Sequence, residues 1–345
     1  MTASVDHAWG SVALVLAFAC SLLAQPILIT WLTRRQILDR PSERSSHVNP
    51  TPRGGGLVVV LSAALAMVVA GRDLWPFVLA ILCFAGLGAV DDYRGIPARW
   101  RLVAQVLLAT VTAFLVGPLV DLPVSGAPEI IVLALWLVVS VNAFNFMDGI
   151  NGISTLQVLV VSAALATSSL VWGSGPLFCY AAALGGAALG FLPYNAVRAR
   201  VFLGDVGSYG LGAALGLGIV MSISTGLPAA AAVALLAVYL VDVGWVLIKR
   251  AIAGKPLMSA HREHIYQRLA LRTKSHGKVT CFATAASSLV ALGAVLSGLT
   301  DERGMRVLGV SIALVALVGY VTSPAWWSAG NHGSRQGPET ADTSA

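Results

Sequence analysis

Residues 9–33 read WGSVALVLAFACSLLAQPILITWLT, a run that contains no acidic or basic side chain. A helix needs about 20 apolar residues to cross the hydrocarbon core of a bilayer. The run is longer than the apolar region of a cleaved signal peptide, and no Lys or Arg precedes it. We therefore predict that it is a transmembrane helix that is retained.

The composition extends this interpretation to the whole chain. Of the 345 residues, 57% are hydrophobic and 11% are charged, whereas soluble proteins carry about 25% charged residues. A water-soluble domain is therefore excluded. The 4 cysteines lie far apart inside apolar runs, which indicates packing residues rather than zinc ligands.

Eleven apolar stretches predict an all-α, polytopic integral membrane protein. The count becomes ten if the short second stretch does not span. The stretches are 9–33, 57–71, 75–90, 102–120, 130–146, 154–172, 176–193, 206–223, 227–248, 279–299 and 305–322. Residues 1–322 are expected to form a single membrane domain, and the polar residues 323–345 a disordered cytoplasmic tail after the interfacial pair Trp326 and Trp327.

The basic residues predict the orientation of these helices. With the N-terminus outside, all but three of the 22 Lys and Arg residues fall in cytoplasmic connections; the exceptions are Arg72, Arg303 and Arg306. Cytoplasmic loops are enriched in Lys and Arg. We therefore predict an N-terminus outside and an active site on the cytoplasmic face.

Carboxylate and amide side chains concentrate in the connections that this topology places on the cytoplasmic face. Such groups are costly to desolvate at the ends of apolar helices unless a cation neutralises them, and their oxygens suit Mg²⁺. Mg²⁺ is usually bound by one or two carboxylates together with substrate phosphates, so the pattern predicts a substrate that contains phosphate. The residues are Asp91, Asp92, Asn142, Asn145, Asp148 and Asp205.

Basic side chains share the same face. Arg53 precedes three glycines that allow a ligand to approach the backbone closely, and the other donors can hold a pyrophosphate. The set comprises Arg53, Arg101, His261, Arg262 and His264. Asp242 lies near the cytoplasmic end of the ninth stretch, and the sequence leaves open whether it supports the site or is paired with a neighbour.

Five motifs occur in order along residues 35–270 and carry a family resemblance. The chain resembles the polyprenyl-phosphate N-acetylhexosamine-1-phosphate transferases, the membrane glycosyltransferase family that includes the phospho-MurNAc-pentapeptide translocases. The motifs are DRPSERSSHVNPTPRGGG (39–56), DDYRGIPARWRLVAQ (91–105), NAFNFMDGING (142–152), FLGDVGS (202–208) and HREHIYQRL (261–269).

The resemblance implies transfer of a sugar-1-phosphate from a UDP-sugar to undecaprenyl or another polyprenyl phosphate, with release of UMP. The implied cofactor is Mg²⁺, which Mn²⁺ can replace. The implied location is the bacterial cytoplasmic membrane, where the protein crosses the lipid bilayer several times. The resemblance implies no nucleic-acid partner and is compatible with a homodimer.

The resemblance also implies roles for residues at matching positions. Asn145 and Asp205 match metal ligands, and Asp91, Asp92 and Asp148 match catalytic carboxylates, one of the first pair being the base for the lipid phosphate. Substrate-binding positions are His47, Arg53, Arg101, Asn151, Phe202, His261, Arg262 and His264, with Phe202 stacking on uracil, Asn151 contacting the nucleotide and Arg101 near the lipid phosphate.

The fifth motif has fewer histidines than in the peptidoglycan translocases and the GlcNAc-1-phosphate transferases, and it resembles more closely the subgroup that initiates O-antigen or other surface polysaccharides. The expected donor is an N-acetylated hexosamine, with a 6-deoxy sugar such as N-acetylfucosamine or N-acetylquinovosamine, or GlcNAc itself, as candidates. The alternatives are a GlcNAc-1-phosphate or phospho-MurNAc-pentapeptide transferase and, from another class, a polytopic transporter or flippase. A CDP-alcohol phosphotransferase is disfavoured, because Asp148-Gly149 is followed by Ile150-Asn151-Gly152 rather than by its signature.

Overall fold

The computed structural model describes residues 2–39, 50–256, 262–300 and 302–329. Within them the chain forms thirteen α-helices and one short β-hairpin. The helices are α1 (Thr2–Arg34), α2 (Gly56–Ala70), α3 (Trp75–Arg94), α4 (Ala98–Val116), α5 (Ala127–Met147), α6 (Ile153–Trp172), α7 (Gly175–Asn195), α8 (Gly204–Thr225), α9 (Ala229–Ala234), α10 (Ala237–Ile252), α11 (Ile265–Thr273), α12 (His276–Gly298) and α13 (Arg303–Ala329). The hairpin pairs β1 (Leu38–Asp39) with β2 (Thr51–Pro52).

The predicted fold class is confirmed. In the described part of the chain, 9 helices are long and apolar enough to cross a membrane. The two remaining predicted stretches are also helical, but the second forms α2, which has 15 residues, and the ninth is divided between α9 and α10. The orientation of the bundle relative to the cell stays a prediction.

The division of the ninth stretch has a tertiary cause. No proline or glycine lies between Ala229 and Val243 to end a helix there. The carbonyl oxygen of Leu235, between α9 and α10, accepts a hydrogen bond of 3.1 Å from Nε2 of Gln157, a buried side chain of α6. Since an unpaired carbonyl is costly in an apolar bundle, this contact stabilises the break.

Helix α8 forms the centre of the bundle and packs against α2, α3, α5, α6 and α7. Glycines permit the closest approaches. A Cβ on Gly88 of α3 would lie 2.1 Å from the carbonyl oxygen of Asp205, and one on Gly56 would lie 2.2 Å from Cα of Gly207. Small residues at helix interfaces let backbones approach closely, so α2 and α3 reach the first turn of α8, where Asp205 lies.

Helix α13 extends beyond the predicted boundary at residue 322. It continues to Ala329. The rings of Trp326 and Trp327 pack on Phe282 of α12, with centroid distances of 5.8 and 5.0 Å, and these contacts stabilise the additional turns. The prediction that a disordered tail begins at residue 323 therefore does not hold for residues 323–329. Residues 330–345 lie outside the described residues.

We expect Gly186→Ala to lower the free energy of unfolding by roughly 1–3 kcal/mol, since overpacking forces the backbone to shift. An added Cβ at Gly186 of α7 would lie 2.2 Å from the carbonyl oxygen of Leu14 in α1. Gly86→Ala on α3 is the matched control, because nothing lies within 4 Å of its added Cβ. Thermal unfolding in detergent measures both variants, and equal melting temperatures would contradict the expected result.

Candidate active site

The described residues of the first motif meet the second, third and fourth motifs at one end of the bundle. Backbone amides of Gly54 and Gly55 both donate to the carbonyl oxygen of Phe202, at 3.1 and 2.8 Å, and Arg53 forms a parallel β-bridge with Phe202. The ends of α3 and α5 and the start of α8 adjoin this bridge. The predicted clustering of these connections on one face is therefore confirmed.

Arg53 joins the acidic residues of two helices. Its Nε lies 2.8 Å from Oδ1 of Asp92 on α3, and its Nη2 lies 3.0 Å from Oδ1 of Asp205 on α8. The backbone amide of Val206 also donates to Oδ2 of Asp92, at 2.9 Å. Burial lowers the pKa of Arg53, but the charges of Asp205 and Asp92 outweigh burial and raise it above its ordinary value.

Asn145, at the end of α5, contacts Asp205 directly. Its Nδ2 donates to Oδ1 of Asp205 at 3.0 Å and to Oγ of Ser208 at 2.8 Å. Because both amide protons are used in these bonds, Oδ1 of Asn145 is the atom that can ligate a cation. In the described part of the chain, no group of three or more His, Cys, Asp or Glu side chains is arranged to hold a metal by itself.

Asp91 differs from its neighbour Asp92. Its carboxylate accepts hydrogen bonds from the backbone amide of Ile96 at 2.8 Å, from Nη1 of Arg101 at 3.2 Å and from the hydroxyl of Tyr209 at 2.7 Å. Asp91 is 5% exposed. It therefore fixes the turn between α3 and α4 and holds the guanidinium of Arg101.

A polar cavity of about 370 Å³ opens beside Arg53. Six predicted site residues line it, and they come from the first, third and fourth motifs. These six are Arg53, Asn145, Asp148, Asn151, Phe202 and Asp205.

A second cavity of about 440 Å³ adjoins the polar one and shares Asp39 and Arg53 with it. Asp92 also lines this second cavity, but most of its wall is apolar. The apolar side chains come from α1, β1, α2, α3 and α8 and include Leu28, Trp31, Leu32, Leu57, Tyr93 and Val206.

Four predicted site residues in the described ranges line neither cavity: Asp91, Arg101, Arg262 and His264. Arg262 instead lines a separate cavity of about 320 Å³ with Trp245, Lys249 and Arg268. His47 and His261 lie outside the described residues, so their predicted roles are untested.

The fifth motif is held by Asp242, whose role the sequence left open. Asp242 is fully buried and lies 3.0 Å from Nδ1 of His264, and it accepts hydrogen bonds from the backbone amide of Ile265 at 3.0 Å and from the hydroxyl of Tyr320 at 2.7 Å. His264 is 2% exposed and stacks on Phe146. Asp242 and His264 therefore anchor the start of α11 to α10 and α13.

Sequence reasoning missed several residues of the site. Asn195 and Gln267 line the polar cavity, and Tyr209 holds Asp91. Asn195, at the end of α7, accepts from the backbone amide of Gly152 at 3.1 Å and from Thr155 at 2.9 Å, so it fixes the start of α6. Gln267 belongs to the fifth motif, but the resemblance gave it no role. Asn195 and Tyr209 lie in apolar helices and carry no local signal, because only tertiary contacts show their partners.

Residues 74–225, from before α3 to the end of α8, match the model of glycosyl transferase family 4. This stretch contains the second, third and fourth motifs and the buried helix α8. This membrane-embedded part of the chain is therefore similar to glycosyl transferase family 4.

Curated relatives extend the similarity over most of the chain. It is 29% identical to a decaprenyl-phosphate N-acetylglucosaminephosphotransferase of Mycolicibacterium smegmatis over 81% of this chain and 80% of that protein. It is also 29% identical to the protein of the same name from Mycobacterium tuberculosis, over 80% of this chain and 79% of that protein.

The pKa of Asp148 provides a test of the electrostatics of the site. Burial, the largest cause, together with the charge of Asp205, raises its pKa to about 7. The folded protein thus binds this proton more tightly than the unfolded chain. The stability that the proton contributes is fully present below about pH 4 and is lost as the pH rises through about 7.

We expect Asp148→Asn to remove this pH dependence. As the pH is raised from 4 to 7.5, the wild type should lose about 1–4 kcal/mol of its free energy of unfolding relative to the variant. The difference between the melting temperatures of variant and wild type should therefore increase over this range. Asp121→Asn, which changes an exposed carboxylate, is the control. Melting temperatures that change with pH by the same amount in wild type and Asp148→Asn would contradict the raised pKa of Asp148.

Proposed function

We propose that the protein transfers an N-acetylhexosamine-1-phosphate from a UDP-sugar to a polyprenyl phosphate and releases UMP. The observation that carries this proposal is the position of Arg53, which lines both a polar cavity and a largely apolar one. A reaction between a nucleotide sugar and a lipid phosphate needs two such binding regions that meet at a cation.

The polar cavity suits a nucleotide diphosphate. The guanidinium of Arg53 can pair with phosphate oxygens, and the ring of Phe202 and the amide of Asn151 lie in the same wall. We assign Phe202 and Asn151 to the nucleotide by their match to the family pattern.

The second cavity suits the lipid. Leu28, Trp31 and Leu57 give it an apolar wall, and Arg53 and Asp92 lie where this wall meets the polar cavity. A polyprenyl chain in the apolar part would present its phosphate to Arg53. Relatives named as decaprenyl-phosphate transferases support a lipid acceptor.

The donor set at Asp205 also fits a divalent cation. Oδ1 of Asn145 is available, Asp205 adjoins it, and Asp148 lines the same cavity. We propose that these residues hold Mg²⁺, with substrate phosphates completing the coordination. When bound, the ion would neutralise charge on the phosphate oxygens.

In the proposed reaction an oxygen of the lipid phosphate attacks the phosphorus attached to the sugar. A new phosphorus–oxygen bond forms to the lipid, and the bond to UMP breaks with its electrons staying on the UMP phosphate. Arg53 orients the reacting phosphates, and Asp92, beside it in the lipid cavity, is placed to accept a proton from the lipid phosphate. We favour direct attack over an aspartyl-phosphate intermediate.

The names of the relatives make GlcNAc the first donor to test. The 6-deoxy N-acetylated donors and a role in initiating O-antigen-like polysaccharides rest on the fifth motif. A transporter is disfavoured, because such proteins place polar groups on broken helices at the bilayer midplane, whereas here Asp92 lies in the last turn of α3 and Asp205 in the first turn of α8.

The test is UMP release by purified protein with polyprenyl phosphate, Mg²⁺ and a panel of UDP-sugars. We expect release with one N-acetylated donor and a loss of roughly 100-fold or more in Asp205→Asn, since charge stabilisation at the reacting phosphates contributes several kcal/mol. Asp121→Asn, on an exposed loop, is the control and should keep the wild-type rate.

Two outcomes would contradict the proposal. One is folded wild-type protein that binds nucleotide but releases no UMP with any donor. The other is Asp205→Asn that keeps the wild-type rate.

A further inference from the structure

We infer that a cavity between α10 and α11 binds the phosphate headgroup of an anionic phospholipid from the surrounding bilayer. The cavity has a volume of about 320 Å³ and shares no lining residue with the two cavities at Arg53. We call it the α10–α11 cavity; its lining residues are Trp245, Val246, Lys249, Arg262, Glu263 and Arg268. Binding of such a lipid would be independent of the transfer reaction.

Three of the lining side chains are cationic. Lys249 lies on α10, Arg262 lies before α11, and Arg268 lies on α11. Among the residues that the structure describes, no acidic side chain forms an ion pair with Lys249 or Arg268. Two of the three cations therefore keep their charge available for a ligand.

Glu263 is the acidic residue among the described lining residues, and it is already paired. Its Oε1 lies 2.8 Å from Nη1 of Arg250 and 3.2 Å from Nζ of Lys255. Neither of these two cations lines the cavity. Because they neutralise Glu263 from outside, the cavity keeps a net positive charge, and its ligand should be an anion.

The exposed side of α10 beside this cavity is apolar. Trp245, Ile248 and Ile252 are 45%, 56% and 84% exposed, and their spacing of three and four residues puts them on one side of the helix. Lys249 follows Trp245 by one turn, and its Nζ lies 4.8 Å from the centroid of the indole ring. A tryptophan and a lysine placed beside exposed apolar side chains are typical of the headgroup region of a membrane.

A phospholipid matches both parts of this surface. Its phosphate would pair with Lys249 and Arg268, and its acyl chains would cover Ile248 and Ile252. The predicted orientation places the end of α10 on the cytoplasmic side, where the leaflet carries anionic lipids and basic pockets between helices bind their headgroups. A soluble phosphate has the same charge but no acyl chains, so we assign the cavity to the lipid.

The test measures thermal unfolding of the full chain in detergent with added phosphatidylglycerol, phosphatidylcholine of the same acyl chains, or inorganic phosphate. We expect phosphatidylglycerol to raise the melting temperature at a lower mole fraction than phosphatidylcholine does, and inorganic phosphate to have no effect. In the double variant Lys249→Gln with Arg268→Gln, the mole fraction that gives half of the stabilisation should rise about 10-fold to 30-fold, because two cation–phosphate contacts are lost. Arg262 is left unchanged, because the family resemblance assigns it to substrate binding.

Two further double variants serve as controls. Arg94→Gln with Arg198→Gln removes the same charge from two exposed side chains that line none of the three cavities, and it should respond to phosphatidylglycerol as the wild type does. Lys249→Arg with Arg268→Lys keeps both charges and should retain the preference for phosphatidylglycerol. This second variant distinguishes loss of charge from altered packing.

Equal responses of the wild type to the two lipids would overturn the inference, as would a wild-type response of Lys249→Gln with Arg268→Gln. An equal loss in Arg94→Gln with Arg198→Gln would also overturn it, since this result indicates diffuse surface charge. Stabilisation by inorganic phosphate as strong as that by phosphatidylglycerol would identify a site for a soluble anion instead. None of these measurements uses the transfer reaction, so failure of the proposed function is distinguishable from failure of this inference.

Discussion

The ion pairs of Arg53 with Asp92 and Asp205 are the constraint on which this end of the bundle depends. Two carboxylates held near each other with little water around them repel each other, which is costly. One guanidinium bridging both, at 2.8 and 3.0 Å, offsets this cost. It neutralises one charge of two, and the remaining negative charge, with Asp148 nearby, is the electrostatic basis for the cation that we propose.

This bridge requires that the hairpin, α3 and α8 approach one another closely. Gly88 and Gly56 meet the backbone of the first turn of α8 at distances that leave no room for a side chain. In a membrane protein, where lipid and core are equally apolar, such close backbone packing is a main source of helix association. The glycines that hold the bundle together are therefore also the residues that set the position of Asp205.

Neighbouring residues in the site have different roles because helix geometry points them in different directions. Asp91 turns toward Tyr209 and Arg101 and organises the start of α4, whereas Asp92 faces Arg53 and lines the second, largely apolar cavity. In the fifth motif, His264 turns into the bundle toward Asp242, whereas Gln267 lines the polar cavity. A motif is thus a mixture of groups that can contact a substrate and groups that hold those in place.

The sequence by itself determined the all-α membrane class, the approximate bounds of the apolar helices and the set of polar motifs at one end. These properties depend on local hydropathy and on residue types that are costly to bury, and both are readable along the chain. Only the tertiary structure decided that Gln157 stabilises a break between α9 and α10 and that the carboxylate of Asp91 accepts hydrogen bonds from residues of the protein itself. It also decided that α13 continues to Ala329 and that Gln267 lines the polar cavity. Each of these depends on atoms from distant segments meeting within hydrogen-bond or ring-contact distance, and helix packing, rather than local sequence, sets those distances.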